Sequence, residues 1–324
     1  MVKVQYLKVK FKLYKQFWFL LIKLSIVFGA GFFIYQRLRT NELWQSEVLF
    51  EQLETLFYSN WKSLFLLFTM SFINWFFEIL KWQTLVKSVQ NISFYKALSQ
   101  SLSSHTLSLI TPFKVGEYGG KALYFPKNLR KKVLVLNLIG NLAQLLVTLL
   151  VGLVGLYYFF THFNVTINPH KIRRIGYVVA FIILAFFSVQ KMKKSAYYRR
   201  AILFYSKLEW TIKFKTLFYS LVRYLVFSHQ FYLLLHIFNT GIPYPTAMML
   251  IFSMYFIATM LPVISLFDFV IKGSIAIYLF SFVQVNELTI VLISTLLWFL
   301  NFALPALVGS YFVLIFKPNY KSNP

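Results

Sequence analysis

Long apolar runs follow one another along most of this chain, and each has about the length of one membrane crossing, which takes roughly 20 residues of helix. The segments between them are polar and rich in Lys and Arg. The runs lie at residues 17–35, 61–80, 133–160, 175–189, 217–238 and 288–316. This pattern predicts an all-α, polytopic integral membrane protein with about six full spans.

Two further apolar stretches are interrupted by polar residues. Residues 99–111 carry seven hydroxyl side chains and His105, and Pro112 follows them. Residues 244–282 are too long for one span and are broken at Pro262. Irregular backbone at membrane depth is tolerated only where it is buried in protein or lines a cavity. Both stretches are therefore predicted to be re-entrant or broken helices, which makes about eight hydrophobic segments in all.

Basic residues outside the runs predict the orientation of the chain. They concentrate before the first run, in residues 191–215 with eight Lys and Arg, and after the last run. Because cytoplasmic loops carry an excess of Lys and Arg, both termini are expected in the cytoplasm, and the protein in a bacterial-type inner (plasma) membrane. Residues 17–35 lack a small-residue cleavage site, so they are expected to remain as an anchor.

The same pattern divides the chain into segments of different character. They are an N-terminal anchor span (1–36), an outer amphipathic segment (37–60), a first membrane unit (61–190), a basic cytoplasmic linker (191–215), a second membrane unit (216–318) and a short tail (319–324). The linker thus separates two membrane units.

Composition excludes a soluble globular protein. The chain is 59% hydrophobic and 13% charged, whereas soluble domains are about 45–50% apolar and about 25% charged. We attribute the net charge of +24 to loops that face anionic lipid, so nucleic acid is not expected as a partner. The sequence contains no Cys and shows no metal-ligand cluster or nucleotide-binding loop. No cofactor, metal or catalytic residue is therefore expected.

Acidic residues are scarce, so each one in apolar sequence is informative. Of nine Asp and Glu residues, Glu78, Glu117 and Asp268 lie inside or against apolar runs. An ionisable group at membrane depth is costly and marks a candidate functional site. For Glu78 the competing interpretation is a helix-end ion pair with Lys81, three residues further on.

The two interrupted stretches share a pattern of Pro, an acid five or six residues later, and Lys four residues after the acid. The residues are Pro112, Glu117 and Lys121 in the first stretch, and Pro262, Asp268 and Lys272 in the second. The charge rule gives the two units opposite orientations. Paired Pro- or Gly-interrupted segments in inverted halves point to a transporter site near the bilayer midplane, so an inverted repeat is predicted.

Each unit offers the chemistry of a gated anion site. A helix that restarts after Pro presents unpaired N–H groups, and an acid–Lys pair separates when a charged ligand or a proton competes. The predicted substrate-binding residues are Lys114, Gly116, Glu117, Lys121, Asp268, Lys272 and Arg223, with Pro112 and Pro262 as hinges and Asn74, Glu78, His105 and Asn141 as supporting polar residues. Alternatively, the pairs only neutralise broken helices and contact no ligand.

These motifs resemble the membrane-domain family of lysylphosphatidylglycerol synthase/flippase proteins and their stand-alone relatives. The matching residues are Thr111-Pro112, Gly116-Glu117, and Asn74, Glu78 and Trp82 on the second span, followed by the block from Leu261-Pro262 to Lys272-Gly273. In the second block Val-Ile-Ser-Leu-Phe replaces the family's Gly-rich turn. The resemblance covers roughly residues 10–318.

The resemblance implies a flippase or transporter that moves an anionic phospholipid or a polyprenyl-phosphate-linked lipid between leaflets. In two-part members of the family a soluble synthase domain follows the membrane region, and residues 319–324 are too few to form one, so aminoacyl transfer is not expected. The alternatives are a membrane-embedded transferase, with Glu117 or His105 as base, and an accessory scaffold for proteins that handle lipid-linked envelope precursors.

Overall fold

The computed structural model describes residues 61–111, 115–163, 196–260 and 268–316, and all regular structure within these ranges is helical. The expected all-α fold class is confirmed for this part of the chain. Several predicted features lie outside it: the spans at 17–35 and 175–189, the amphipathic segment at 37–60, the residues Pro112, Lys114 and Pro262, and the side chain of Asp268.

Nine helices form the described part of the chain. In order they are α1 (Trp61–Val86), α2 (Phe94–Ile110), α3 (Val115–Leu123), α4 (Lys127–His162), α5 (Ala196–Ser206), α6 (Trp210–Ile237), α7 (Tyr244–Met260), α8 (Asp268–Ser281) and α9 (Glu287–Ile315). By length and composition, α1, α4 and α9 can cross a membrane. Helices α7 and α8 have 17 and 14 residues, fewer than the roughly 20 that a crossing needs.

The helices extend beyond the apolar runs that predicted them. Helix α1 continues through Lys81 to Val86, and α4 begins at Lys127 within a basic cluster. Lys and Arg are good helix formers with long apolar stems, so a basic cluster ends an apolar run without ending the helix. For the same reason the basic linker contains α5, which the charge pattern did not predict.

The first interrupted stretch is helical up to Ile110, and the backbone becomes extended at Thr111. The hydroxyl oxygen of Thr111 accepts the N–H of Gly116 at 2.7 Å, which caps the start of α3. A Cβ atom at Gly116 would collide with the carbonyl of Leu107. Glycine therefore allows α3 to fold back closely onto α2.

Three antiparallel helix contacts organise the fold. Helix α1 packs on α6, α4 on α7, and α2 on the second half of α9. Hydrogen bonds from Gln230 to Ser71 and from Arg223 to Glu78 fix the antiparallel direction of α1 and α6. Gly309 of α9 lies against the backbone of α2. Small residues allow this close approach of two helices.

Each half of the chain has its own apolar core. Helices α6 to α9 supply most of one cluster, which includes Leu250, Phe280 and Ile293. Helices α1 to α4 supply most of the other, which includes Trp82 and Leu136. Polar contacts such as the ion pair of Glu78 and Arg223 join the two halves.

Candidate functional site

A partly open cavity of about 600 Å³ lies where the two halves meet. All described helices except α5 line it. Its charged, amide and hydroxyl residues include Asn74, Glu78, Ser101, His105, Glu117, Tyr118, Lys121, Asn141, Gln144, Thr148, Arg223, Thr259, Lys272, Ser294 and Asn301. The volume is in the range of pockets that take small organic ligands.

Glu78 occupies the centre of the charged cluster on the cavity wall. Its carboxylate is 2.7 Å from Lys81 Nζ and 3.8 Å from Lys121 Nζ, and it also pairs with Arg223. The side chains of Lys81 and Lys121 are each 3% exposed. Burial of such ions without partners would cost several kcal/mol each. The helix-end pair with Lys81 thus describes only one of the three ion pairs that Glu78 makes.

Lys121 joins this carboxylate to α3 and α4. Its Nζ is 3.3 Å from Glu117 Oε1 and donates to Asn137 Oδ1 at 2.8 Å. It also lies 4.6 Å from the ring centre of Trp82, a cation–π contact. The predicted pair of Glu117 and Lys121 is present, and it belongs to a larger cluster than the sequence indicated.

Arg223 of α6 connects the second half of the chain to this cluster. Its Nε donates to the main-chain oxygen of Asn74 at 3.2 Å and to the side-chain oxygen at 3.1 Å, and its Nη1 donates to Glu78 and to Gln144 Oε1 at 3.3 Å. Nη2 has no hydrogen-bond partner among the described residues. Because the guanidinium is held rigidly at two nitrogens, the third is an oriented donor for an anion.

The cluster carries an excess of positive charge. Its cations are Lys81, Lys121 and Arg223, and its anions are Glu78 and Glu117. Within these five side chains, the cations therefore exceed the anions by one. A buried excess charge is unfavourable without a counter-ion, so an anion that enters the cavity gains a favourable interaction.

A π-helical turn, Phe299–Ala303, interrupts α9 beside the cavity. Asn301 in this turn accepts a hydrogen bond from Asn74 Nδ2 at 3.0 Å and donates to Gln230 Oε1 at 2.8 Å. Its main-chain oxygen accepts the indole N–H of Trp75 at 3.2 Å. Such turns are frequent at functional sites. Here the turn links α9 to α1 and α6 through amide groups.

His105 of α2 is held against the same turn. Its Nε2 is 3.0 Å from the main-chain oxygen of Phe302. The imidazole ring also meets the rings of Phe302 and Trp75 edge-on, at centroid distances of 4.5 and 4.8 Å. His105, which the sequence analysis named as a supporting polar residue, thus lies on the cavity wall.

Lys272 brings the second interrupted stretch to the cavity. It lies on α8, which begins at Asp268, and its Nζ is 5.8 Å from the ring centre of Tyr255. Lys121 in the first stretch likewise lies over the ring of Trp82. Two lysines from corresponding sequence positions therefore line one cavity, each over an aromatic ring.

The cavity contains most of the predicted site residues that the structure describes. They are Asn74, Glu78, His105, Glu117, Lys121, Asn141, Arg223 and Lys272. Gly116 serves the contact between α2 and α3 instead of the cavity lining. The sequence assigned Glu78 only a supporting role, treated Lys81 only as its helix-end partner, and did not include Gln144 or Asn301 among the site residues.

Some of the cavity residues that the sequence analysis did not include in the site can be recognised in the sequence. Gln144 follows Asn137 and Asn141 at a spacing of i, i+4 and i+7, which places all three on one helix face. The spacing of three residues marked Lys81 only as a helix-end partner of Glu78. Asn301 was a single amide in an apolar run, with nothing nearby in sequence to mark its partners.

The cavity is lined by the cations Lys121, Arg223 and Lys272 and by the carboxylates Glu78 and Glu117. Within the described ranges there is no group of three His, Cys, Asp or Glu side chains that could hold a metal ion. Lys and Arg donors, which bind phosphate and carboxylate groups, border the cavity instead.

Comparison of the chain with protein-family models, with curated protein sequences and with solved structures finds no match. A functional proposal therefore depends on the cavity and on the sequence motifs that line it.

Proposed function

We propose that this protein is a lipid flippase or transporter that moves an anionic phospholipid or a polyprenyl-phosphate-linked lipid between the leaflets of a plasma membrane. The observation that carries the proposal is the ion-pair cluster around Glu78. Glu78, Lys121 and Arg223 line a cavity formed by eight helices, and Lys81 is buried beside Glu78. A phosphate group matches the positive excess and the guanidinium donor. The apolar helix surfaces around the cavity match the lipid chains.

The cluster gives a phosphate a stepwise route to binding. Arg223 offers Nη2 without first breaking an ion pair. Lys121, which is shared between Glu78 and Glu117, can exchange one carboxylate for the phosphate and keep the other. Exchange of anions avoids the large cost of leaving a buried cation unpaired, so the lipid can enter and leave without that barrier.

An inverted repeat of α1–α4 and α6–α9 belongs to the same proposal. In this repeat α1 corresponds to α6, and the two helices pack on each other. The contact of α4 with α7 corresponds to that of α9 with α2, and the contact of α3 with α4 corresponds to that of α8 with α9. Helices α2 and α7 both have 17 residues, and the next described helices, α3 and α8, have 9 and 14 residues. These correspondences and the antiparallel pair of α1 and α6 support an axis in the membrane plane, as in many transporters.

The resemblance to the lysylphosphatidylglycerol synthase/flippase family also supports this function. Asn74, Glu78, Trp82 and Glu117 carry that resemblance, and each contacts Lys121 or Arg223. In this proposal the multi-pass chain has both termini in the cytoplasm, because the basic segments lie on that side.

Transport in proteoliposomes tests the proposal. The purified protein is reconstituted with a fluorescent anionic phospholipid, and a membrane-impermeant reductant then bleaches the outer leaflet. We expect wild type to bring inner-leaflet label to the surface. We expect Arg223→Gln to slow this by at least about tenfold, because loss of a buried hydrogen-bonded charge costs about 2 kcal/mol or more.

Arg200→Gln is the matched control, since Arg200 is exposed on α5 away from the cavity. It should transport at the wild-type rate. A wild-type rate equal to that of protein-free vesicles would refute the flippase proposal. Equal rates for wild type and Arg223→Gln would refute the role of the cluster.

A further inference from the structure

The cavity has space and chemistry beyond its charged cluster. Its volume of about 600 Å³ is larger than a single phosphate group requires and is in the range for a whole headgroup. The rest of the wall combines aromatic rings, among them Trp75, Trp298 and Tyr255, with amide and hydroxyl groups. The cavity therefore has room for the group that is attached to a phosphate, and polar and aromatic side chains that this group could contact.

A headgroup with an ammonium group fits this wall poorly. Glu78 is already paired with three cations, and Glu117 is paired with Lys121. Lys272, a further cation, lies over the ring of Tyr255, where an ammonium group would otherwise find a cation–π contact. A second positive charge beside these groups would be repelled, since like charges interact strongly at low dielectric.

Three polar groups at the cavity retain unused hydrogen-bonding capacity within the described part of the chain. Ser101 is 3% exposed, and its hydroxyl has no partner there. Asn141 donates from Nδ2 to the hydroxyl oxygen of Tyr118 at 3.0 Å, which leaves Oδ1 as an acceptor. The third group, Arg223 Nη2, is the donor assigned to the phosphate, which leaves Ser101 and Asn141 for the rest of the headgroup. Buried polar groups are almost always hydrogen-bonded, so a ligand that carries hydroxyl groups complements this wall.

The aromatic side chains of the cavity wall offer flat surfaces for an apolar face of the headgroup. Trp75 is fixed by its hydrogen bond to Asn301 and by its edge contact with His105. Trp298 directly precedes the π-helical turn. A sugar or inositol ring has a flat face of C–H groups that packs against an aromatic ring, and a rim of hydroxyls that stays available for hydrogen bonds.

We infer that the cavity binds the headgroup of a polyol phosphate lipid, in which a neutral sugar or inositol ring is joined to the phosphate. This inference rests on the proposed function and narrows its substrate class. The phosphate contacts Arg223 and Lys121. The sugar or inositol ring packs against Trp75 or Trp298, and the hydroxyl groups of the ring form hydrogen bonds with Ser101 and Asn141.

Binding to the detergent-solubilised protein, measured by native mass spectrometry, tests the inference. The probes are a short polyprenyl-phosphoryl hexose, phosphatidylinositol, phosphatidic acid and phosphatidylethanolamine. At least one of the first two should be retained about tenfold better than phosphatidic acid, because a site built to bond hydroxyls rejects analogues that lack them. Which of the two binds better identifies the lipid source. Equal retention of phosphatidic acid, or strongest retention of phosphatidylethanolamine, overturns the inference.

Variants of one tryptophan locate the headgroup. Trp298→Leu should lower the preference for polyol probes over phosphatidic acid to below about threefold, whereas Trp298→Phe, which keeps a ring, should retain most of it. Trp210→Leu changes a tryptophan that is 79% exposed and outside the cavity, and it should keep the full preference. An unchanged preference in Trp298→Leu overturns the placement of the ring.

Transport of the same four probes separates this inference from the proposed function. Selective binding of polyol probes without transport of any probe would refute the flippase and support the headgroup class. Transport of all four probes at equal rates would support the flippase and overturn the headgroup class.

Discussion

The carboxylate of Glu78 forms ion pairs with Lys81, Lys121 and Arg223. We therefore expect substitution of Glu78 to destabilise the fold. Lys81 and Lys121 are almost completely buried, and Glu78 is 11% exposed. Removal of one partner from a buried ionic group leaves the others uncompensated, which costs more than the pair contributes when intact. The amide in Glu78→Gln keeps the shape of the side chain and removes its charge.

We therefore expect Glu78→Gln to lower the free energy of unfolding by about 3–5 kcal/mol. The measurement is the thermal unfolding midpoint of the detergent-solubilised protein. Glu209→Gln is the control, because Glu209 is exposed and makes no side-chain capping bond at the start of α6. A midpoint for Glu78→Gln as high as that of Glu209→Gln would contradict the structural role of the cluster.

The sequence indicated which residues belong to this cluster better than it indicated which of them pair with each other. Glu78, Glu117 and Arg223 stood out because charges are rare in apolar runs. The pairing of Lys121 with Glu117 followed from helix spacing. Arg223 and Glu78 are separated by 145 positions, and no local pattern relates them. Only the packing of α1 on α6 brings them together.

At the scale of whole helices, hydrophobic runs predicted where the described helices lie, and the first interrupted stretch does leave the helix at Thr111. The π-helical turn in α9 was not predicted, although Pro305 was a signal. Pro has no N–H to donate to the carbonyl four residues before it, which is that of Asn301. That carbonyl accepts the indole of Trp75 instead. A missing main-chain hydrogen bond thus accounts for a contact with the site.

Close packing of α2 on α9 depends on Gly309. A Cβ atom there would collide with the main-chain oxygen of Leu102 and the hydroxyl of Thr106. Overpacking costs about 1–3 kcal/mol, more than the up to about 1 kcal/mol that Ala gains over Gly in a helix. We expect Gly309→Ala to lower the thermal unfolding midpoint.

Gly119→Ala provides a control with the opposite sign. A Cβ atom at Gly119 on α3 would meet no atom within 4 Å. Only the helix propensity of Ala then acts, and the midpoint should stay unchanged or rise slightly. If both variants shifted the midpoint in the same direction, the close approach of α2 and α9 at Gly309 would be in doubt.

At the scale of the whole molecule, the proposed inverted repeat makes a prediction about sidedness. If α2–α3 and α7–α8 are re-entrant hairpins, each enters and leaves the membrane on one side, and the two hairpins use opposite sides. In the proposed orientation the ends of the first hairpin lie in the cytoplasm, because basic residues surround it. The ends of the second hairpin are then outside. Helix α7, with 17 residues, is at the lower end of the length of a crossing, and the 14 described residues of α8 are below it.

Single cysteines can test this arrangement, because the natural chain contains none. The exposed positions Ser93 and Asn128 flank the first hairpin, and Pro243 and Ser281 flank the second. In intact cells, a membrane-impermeant maleimide should label Pro243→Cys and Ser281→Cys, and it should label Ser93→Cys and Asn128→Cys only after permeabilisation. Labelling of Pro243→Cys and Ser281→Cys from opposite sides would mean that α7 and α8 together cross the membrane. The second hairpin would then not be re-entrant, and the two units could not be inverted copies.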